Sequence, residues 1–412
     1  MIVLVGSMPE LLSYLLWYRR LGGRAKALLL SCTEYPGAFR RLLPYVALGY
    51  LKPWEAVLLR DEHVRLQLCC ATRYSPDERV ELVRRGVVAV DGEEVEYERL
   101  VIALGWSCTK VREGCIIELR RVEDAIHLKE LLERYDSVGV IGGLEGAWLA
   151  SILADEGYNV TLYMKEVFQQ PFDDEIISLA MSRAKPRFKI TRWSGHLSEK
   201  LGIVYDLDAP KVPRGLKLGA LGGIAVDEAF VAEESIVVLG GSAEWKDPAT
   251  GIGLVSISDE TSVMQSIVAI LRQAGMRAPA PQRVYLTRIG DVFVLSAGIT
   301  SKEAQKAGLE VSSSRVNLKS SVANGGSIVI KLVARRSDGR VLGFQAVGGA
   351  EVLKLTPALL ITLLGRLDAT TLLLAMEPAA LESYFPGALA KVAHGVWVKM
   401  HRGHVAIAGG KF

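Results

Sequence analysis

The sequence predicts an α/β protein: two parallel-sheet units, then an α+β part. Three observations predict it. The pattern strand, glycine turn, helix, strand opens the chain, and it recurs from about Ser137. From about Val284 the pattern changes to antiparallel strands closed by helices.

The first unit begins with an apolar run, Ile2 to Val5, that reads as a buried strand. Gly6 follows it. An apolar-periodic helix then runs through "SYLLWYRRL" to Gly22 and Gly23, and "RAKALLLS" is the next strand. Many folds grip a pyrophosphate where a strand enters a helix through a glycine loop. Such a loop asks for three glycines spaced G-x-G-x-x-G. Here Met8 and Leu11 take the second and third places, with Pro9 and Glu10 between them. A short helical piece lies around "GAFRRLLPYVALG". The segments "AVLLRD", "VRLQLCCA", "GVVAVDGEEVEY" and "RLVIALG" read as strand-rich, with a hairpin turn at Asp91-Gly92.

The helix-like "VEDAIHLKELLERY" leads to the second glycine turn, "SVGVIGGLEGAWLASILADEGYNVTLYMKE", which holds Gly142, Gly143 and Gly146. A helix, "FDDEIISLAMSRA", follows, and the unit ends around "AKPRFKITRW". The stretch "GGIAVDEAFVAEESIVVLGGSAEW" reads as two strands around a turn and carries Gly240 and Gly241. A helix, "DETSVMQSIVAILRQAG", and a linker, "MRAPAPQ", come next. The last part pairs "RVYLTRIGDVFVLSAG" with "GSIVIKLVARRSDGRVLGFQAVG", turning at Asp338-Gly339, and two helices close it.

With 412 residues, 50% hydrophobic and 23% charged, the chain suits two or three well-packed domains. A net charge of +3 without long basic runs argues against a nucleic-acid partner. The most apolar stretch, "LKLTPALLITLLGRLDATTLLLAM", is broken by Pro357, Arg366 and Asp368, short of the roughly 18 apolar residues of a span. No signal-peptide pattern opens the chain, so the expectation is a cytoplasmic protein that does not enter a membrane. The five cysteines, Cys32, Cys69, Cys70, Cys108 and Cys115, contain no C-x-x-C and read as buried reduced thiols. His401 and His404 in "HRGH" lack the companions a metal site requires, and no metal is expected.

These segments, in this order, resemble the pyridine nucleotide–disulfide oxidoreductases, nearest the CoA-disulfide reductase and NADH oxidase branch. "YERLVIALG" is similar to the family's Y-D-x-L-V-I-A-T-G. "VIGGLEGAWLASILADEGYNVTLY" is similar to its NAD-domain turn, and "GGIAVDEAFVAEESIVVLGGSAE" to its G-G-I-x-V-D-E and G-D-x-A-E motifs. "SAGITSKEAQKAGLEV", "KLVARRSDGRVLGFQAVG" and "ESYFPGALA" resemble its interface domain. The resemblance implies two Rossmann-like domains and a C-terminal α+β dimerisation domain. A discontinuous FAD-binding-type domain takes residues 1–115 and 206–278. An NAD(P)-binding-type domain takes 116–205, and the dimerisation domain 284–412. It also implies electron flow from NAD(P)H to flavin, then to a cysteine or to oxygen.

Residue by residue, the implied chemistry is missing. Gly6 alone survives in the first loop, and Glu10 adds negative charge where phosphates belong. The family's ribose-holding acid aligns with Ser31; Glu34 comes three residues late. The family's C-x-L-P-Y aligns with "RLLPY", so Arg41 occupies the cysteine position and no catalytic residue is assigned. Arg40 and Arg41 either hold an anion near a helix start or form a solvated pair. In "GGSAE", Gly241 beside Gly240 replaces the aspartate that meets the flavin's ribityl chain. In the second turn either Ile141 replaces the first glycine or one residue is deleted, and Met164 stands at the ribose-acid position, with Lys165 beside it as a candidate for a 2′-phosphate. Gly142, Gly143 and Gly146 therefore either hold NAD(P)H or serve turn geometry and packing.

The expectation is a divergent family member that does not hold FAD in the family's way, keeps NAD(P)H as a candidate ligand, and acts as a binding or regulatory partner. It would form a homodimer or a heterodimer with an active paralogue. Leu359, Leu360, Leu363 and Leu364, with Tyr384 and Pro386, are the expected contact. Two readings stand beside it: an active FAD-dependent NAD(P)H oxidoreductase with atypical cofactor contacts, and a nucleotide or CoA sensor without turnover.

Overall fold

The computed structural model describes residues 1–75, 79–108, 110–111, 115–165, 171–319, 327–380 and 384–401. The chain divides into two compact units. The first takes Met1–Gln169, Pro186–Asp247 and Gly253–Pro281; the second takes Gln170–Lys185, Pro248–Ile252 and Gln282–Phe412.

Among the described residues the first unit holds two large, mainly parallel sheets and two small three-stranded ones. The six-stranded sheet runs in the order Val231–Glu233, Ile236–Val238, Arg99–Ala103, Ile2–Gly6, Ala27–Ser31 and Cys70–Tyr74. Only its edge strand Val231–Glu233 is antiparallel. The five-stranded sheet, all parallel, runs Lys189–Arg192, Asn159–Met164, Ser137–Gly142, Leu201–Val204 and Cys115–Glu118. Strands Ile2–Gly6 and Ser137–Gly142 lie inside their sheets and are almost wholly buried, which is why both read as continuous apolar runs. The Asp91-Gly92 hairpin forms as expected between Val87–Val90 and Glu93–Glu96, with φ of 52° and 87° at its two turn residues.

One segment departs from the sequence expectation. "VRLQL" lies in a helix, Asp61–Leu68, and "AVLLRD" precedes it without forming a strand; pairing starts at Cys70. Val64 and Leu68 are both fully buried, four residues apart, so the apolar pattern is helical rather than alternating. Cys69 ends this helix at φ 46° and is exposed, whereas Cys70 is buried, and burial lifts its thiol to about 11. Cys69 therefore departs from the buried role expected of all five cysteines.

The second unit is an antiparallel sheet in the order Val284–Ile289, Val292–Gly298, Val341–Gly348, Ser327–Arg335 and Val311–Lys319. Helices Thr356–Leu364, Ala369–Ala380 and Tyr384–His401 close it. Leu359 and Leu363 join Phe344, Ile330 and Leu332 in its core. They are 1% and 3% exposed, so they fill the unit's own interior and are not the expected intersubunit contact. Among the described residues of this unit, Leu353, Ile361 and Leu374 are large apolar side chains left exposed. The side chains of Tyr384 and Pro386 lie outside the described set, as does His404.

Residues 170–185 belong to the second unit. Asp173 explains why. Its carboxylate binds Lys331 Nζ at 2.6 Å and Gln345 Nε2 at 2.7 Å, and accepts the Ser301 and Lys302 N–H groups that open helix Ser301–Lys306. Among the described residues no helix is long and apolar enough to cross a membrane.

Candidate functional site

The first unit contains a cavity of about 540 Å³. Four helices start at its wall: Pro9–Arg20, Val122–Leu132, Leu144–Asp155 and Asp259–Gln273. A helix N-terminus presents unpaired N–H groups and the positive end of the backbone dipole, which suits an anion. Each of these four carries its own acid in the first turn, lining the cavity: Glu10, Glu123 with Asp124, Glu145, and Asp259.

Glu10 is the most confined of them. Pro9 before it has no N–H to offer, and Glu10 folds its carboxyl back to its own N–H. The side chain is 2% exposed and lies on Gly240, which takes φ 65° and where any Cβ would collide with Glu10 Oε1. Burial lifts the Glu10 carboxyl from 4.5 to about 8; its own N–H opposes that rise and the charge of Asp259 adds to it. Asp259 accepts the Arg40 N–H at 2.9 Å, behind a Ser258 cap. Burial first, then neighbouring Glu260, raises Asp259 to about 7 against the pull of Arg41 and Arg40.

Sequence reasoning looked for a ribose-holding acid at the end of strand Ala27–Ser31. Ser31 sits there, buried, and bonds the Thr33 carbonyl at 3.3 Å. An acid does reach this loop, but from another helix: Glu123 accepts from Thr33 Oγ1 at 2.7 Å and from the Glu34 N–H at 2.8 Å.

Arg40 and Arg41 are half-buried and engaged rather than solvated. The Arg40 guanidinium stands 4.4 Å over the Tyr205 ring and donates to the Asp206 carbonyl at 2.8 Å. Arg41 pairs with Glu260 at 2.9 Å and lies 5.4 Å over the Trp148 ring. Lys165 is bound by Asp206 at 3.2 Å and Asp208 at 3.0 Å.

Trp106 had no place in the sequence reading, and it dominates one wall. Its Nε1–H donates to the Ser256 carbonyl at 2.9 Å, and its carbonyl accepts from Arg120. The indole occupies the space a side chain at position 241 would need: a Cβ on Gly241 would overlap Nε1. Met8 packs in the same way on Gly105, 3.3 Å from where a Cβ would lie. A signal existed in the sequence, a tryptophan right after "IALG" together with a glycine in place of the aspartate, but pairing the two requires the fold.

The remaining predicted glycines serve close approach. Gly6 adopts φ 130°, and a Cβ there would strike the Ala103 carbonyl. Gly142 faces the Tyr205 carbonyl, Gly143 caps helix Leu144–Asp155, and a Cβ at Gly146 would lie 3.1 Å from Leu162. All five cysteines are free; Cys32 and Cys108 line the cavity, and burial raises the Cys108 thiol. Among the described residues no three His, Cys, Asp or Glu side chains converge to hold a metal ion.

Comparison with known proteins follows the same lines. Residues 289–379 match the pyridine nucleotide-disulphide oxidoreductase dimerisation domain. The reduced CoADR-RHD of Bacillus anthracis superposes with a TM-score of 0.81 at 19% identity, covering 97% of this chain and 80% of that one. An NAD-dependent persulfide reductase from A. fulgidus gives 0.77 at 20% identity, with coverage of 97% and 83%. The water-forming NADH oxidase from Lactobacillus brevis bound to NADH gives 0.78 at 15%, with coverage of 98% and 99%.

This is the fold of the pyridine nucleotide-disulphide oxidoreductases.

No curated protein matches the chain in sequence. The resemblance read from the sequence holds for the whole fold and for the C-terminal domain. The family's flavin place can now be tested against the side chains that fill it. A diphosphate at the first turn would meet the Glu10 carboxyl, a proline without an N–H, and Met8. A ribityl chain beside position 241 would meet the Trp106 indole.

Proposed function

We propose that this chain is a binding member of the pyridine nucleotide-disulphide oxidoreductase fold that has given up flavin–thiol chemistry and works as a ligand-holding or regulatory subunit. The observation that carries the reading is Trp106 seated on Gly241, with Glu10 seated on Gly240: two side chains fill adjacent parts of the family's flavin place. Arg41 supports it, since a guanidinium held by Glu260 cannot act as a redox nucleophile. Glu145, 8% exposed at the start of helix Leu144–Asp155, sets a carboxylate where the second turn would meet the NAD(P)H diphosphate. The C-terminal unit would join a second copy of this chain about a two-fold axis, as its matched domain suggests.

The test is the visible spectrum of the purified protein, with mass spectrometry of released ligands. The expected preparation is colourless, oxidises no NADH with a disulfide or persulfide acceptor, and gains no thermal stability from excess FAD. A yellow protein with near-equimolar flavin refutes the proposal.

A further inference from the structure

The five-stranded parallel sheet has an open edge, and that edge is basic. Its outer strand, Lys189–Arg192, pairs only with Asn159–Met164. The Trp193 N–H donates to the Met164 carbonyl at 3.0 Å, so the alternation of a strand turns the N–H and C=O groups of Ile190 and Arg192 away from the sheet. Among the described residues nothing bonds them. The chain around this strand, "RAKPRFKITR", sets five cations in ten residues without one acid. Arg187, Lys189 and Arg192 are exposed, and among the described residues no carboxylate pairs with any of the three. The next acid along the chain, Glu199, is taken by the Tyr163 hydroxyl at 2.7 Å. Phe188 between them is buried, so these cations stand on an anchored backbone.

We infer that this edge docks an extended acidic segment of a partner protein, which adds as a sixth strand beside Lys189–Arg192. Main-chain bonds to Ile190 and Arg192 supply the pairing, and the three cations select the partner by charge. Charge on an open edge repels indiscriminate strand pairing; here the charges share one sign, so the same device admits an acidic strand and turns others away. A membrane surface is disfavoured because no large apolar side chain is exposed between Arg183 and Lys200. A nucleic acid is disfavoured because it would leave the outward backbone groups unmet. It would also find no free aromatic face, since Trp193 packs edge-on against Tyr163 with ring centroids 5.8 Å apart. The inference stands apart from the flavin reading, because this edge and the Trp106–Gly241 contact share no residue.

The test is fluorescence anisotropy of the full chain with a labelled peptide of alternating glutamate and valine. The same peptide N-methylated at alternate amides, a single-stranded oligonucleotide and phosphatidylserine-containing vesicles serve as comparisons. The expected result is saturable one-to-one binding of the plain peptide at low salt, with slowed hydrogen exchange at the Ile190 and Arg192 amides. N-methylation keeps the peptide's charge and removes its backbone donors, so it should abolish binding. Lys189→Glu combined with Arg192→Glu should weaken binding about tenfold or more. Both side chains are exposed, and an unchanged melting temperature would show that the variant folds. No binding of the plain peptide overturns the inference, as does equal binding of the N-methylated peptide or undiminished binding by the double variant. Tighter binding of the oligonucleotide or the vesicles than of the peptide overturns it as well. Stoichiometric flavin in the purified protein would refute the preceding proposal and leave this one standing.

Discussion

Replacing Glu10 by glutamine should stabilise this protein at alkaline pH and leave it almost unchanged in mild acid. The fold keeps the Glu10 carboxyl protonated up to about 8, whereas the unfolded chain ionises it from its usual 4.5. Between those values the unfolded state binds fewer protons, so stability is full below 4.5 and falls as pH rises to about 8. The slope is about 1.4 kcal/mol per pH unit, and over a window of about 3.5 pH units the loss approaches 5 kcal/mol. Asp259 titrates in the same cavity and interacts with Glu10, so the two share their proton steps. Glu10→Gln removes one of the two. In urea denaturation, the variant and parent should agree within about 1 kcal/mol near pH 5, and the variant should be more stable by about 3 kcal/mol or more near pH 8.5. Parallel pH profiles for the two proteins, or a variant that is weaker at both pH values, would refute the placement of Glu10 as a buried, proton-bearing acid.

Three further outcomes follow from other contacts. Gly241→Asp should cost about 3 kcal/mol in denaturant titration, because its Cβ enters the Trp106 indole, and combining it with Trp106→Ala should recover part of that loss. Asp173→Asn should lower stability by about 1–3 kcal/mol at neutral pH, since it takes from Lys331, 6% exposed, the more buried of its two carboxylate partners and leaves only Glu175 at 2.7 Å; no measurable loss would contradict that pairing. Ile361→Asp should convert a dimer mass to a monomer mass in light scattering while the chain stays folded, whereas Leu359→Asp should unfold the unit, because Ile361 is 66% exposed and Leu359 only 1%.

Much of this fold was legible because its signals are local. The buried strands around Gly6 and Gly142, the Asp91-Gly92 hairpin and the antiparallel run from Val284 each carry their pattern within a few residues. The Asp61–Leu68 helix was not legible, because Val64, Leu66 and Leu68 also alternate like a strand, and only burial of Val64 and Leu68 decides between the two. The departures at Met8, Leu11, Arg41 and Gly241 were visible as absences. What replaced the missing groups was not, because it arrives from distant sequence: Trp106 comes to Gly241, Glu123 to the Thr33 loop, Asp259 to the Arg40 N–H. Glu10 was visible as a charge, but its contact with Gly240 spans 230 positions. Leu359 and Leu363 were placed at an interface because an apolar helical face looks the same whether its own sheet or a neighbour covers it.

The seating of Trp106 on Gly241 also locks two positions together. An aspartate at 241 collides with the indole, and shrinking the indole alone empties a packed wall and frees the Ser256 carbonyl. Each single step towards an aspartate there therefore passes through a less stable chain, and only the two together relieve the clash. Such a pair works as a ratchet: a path of successive single mutations through this wall is obstructed in either order.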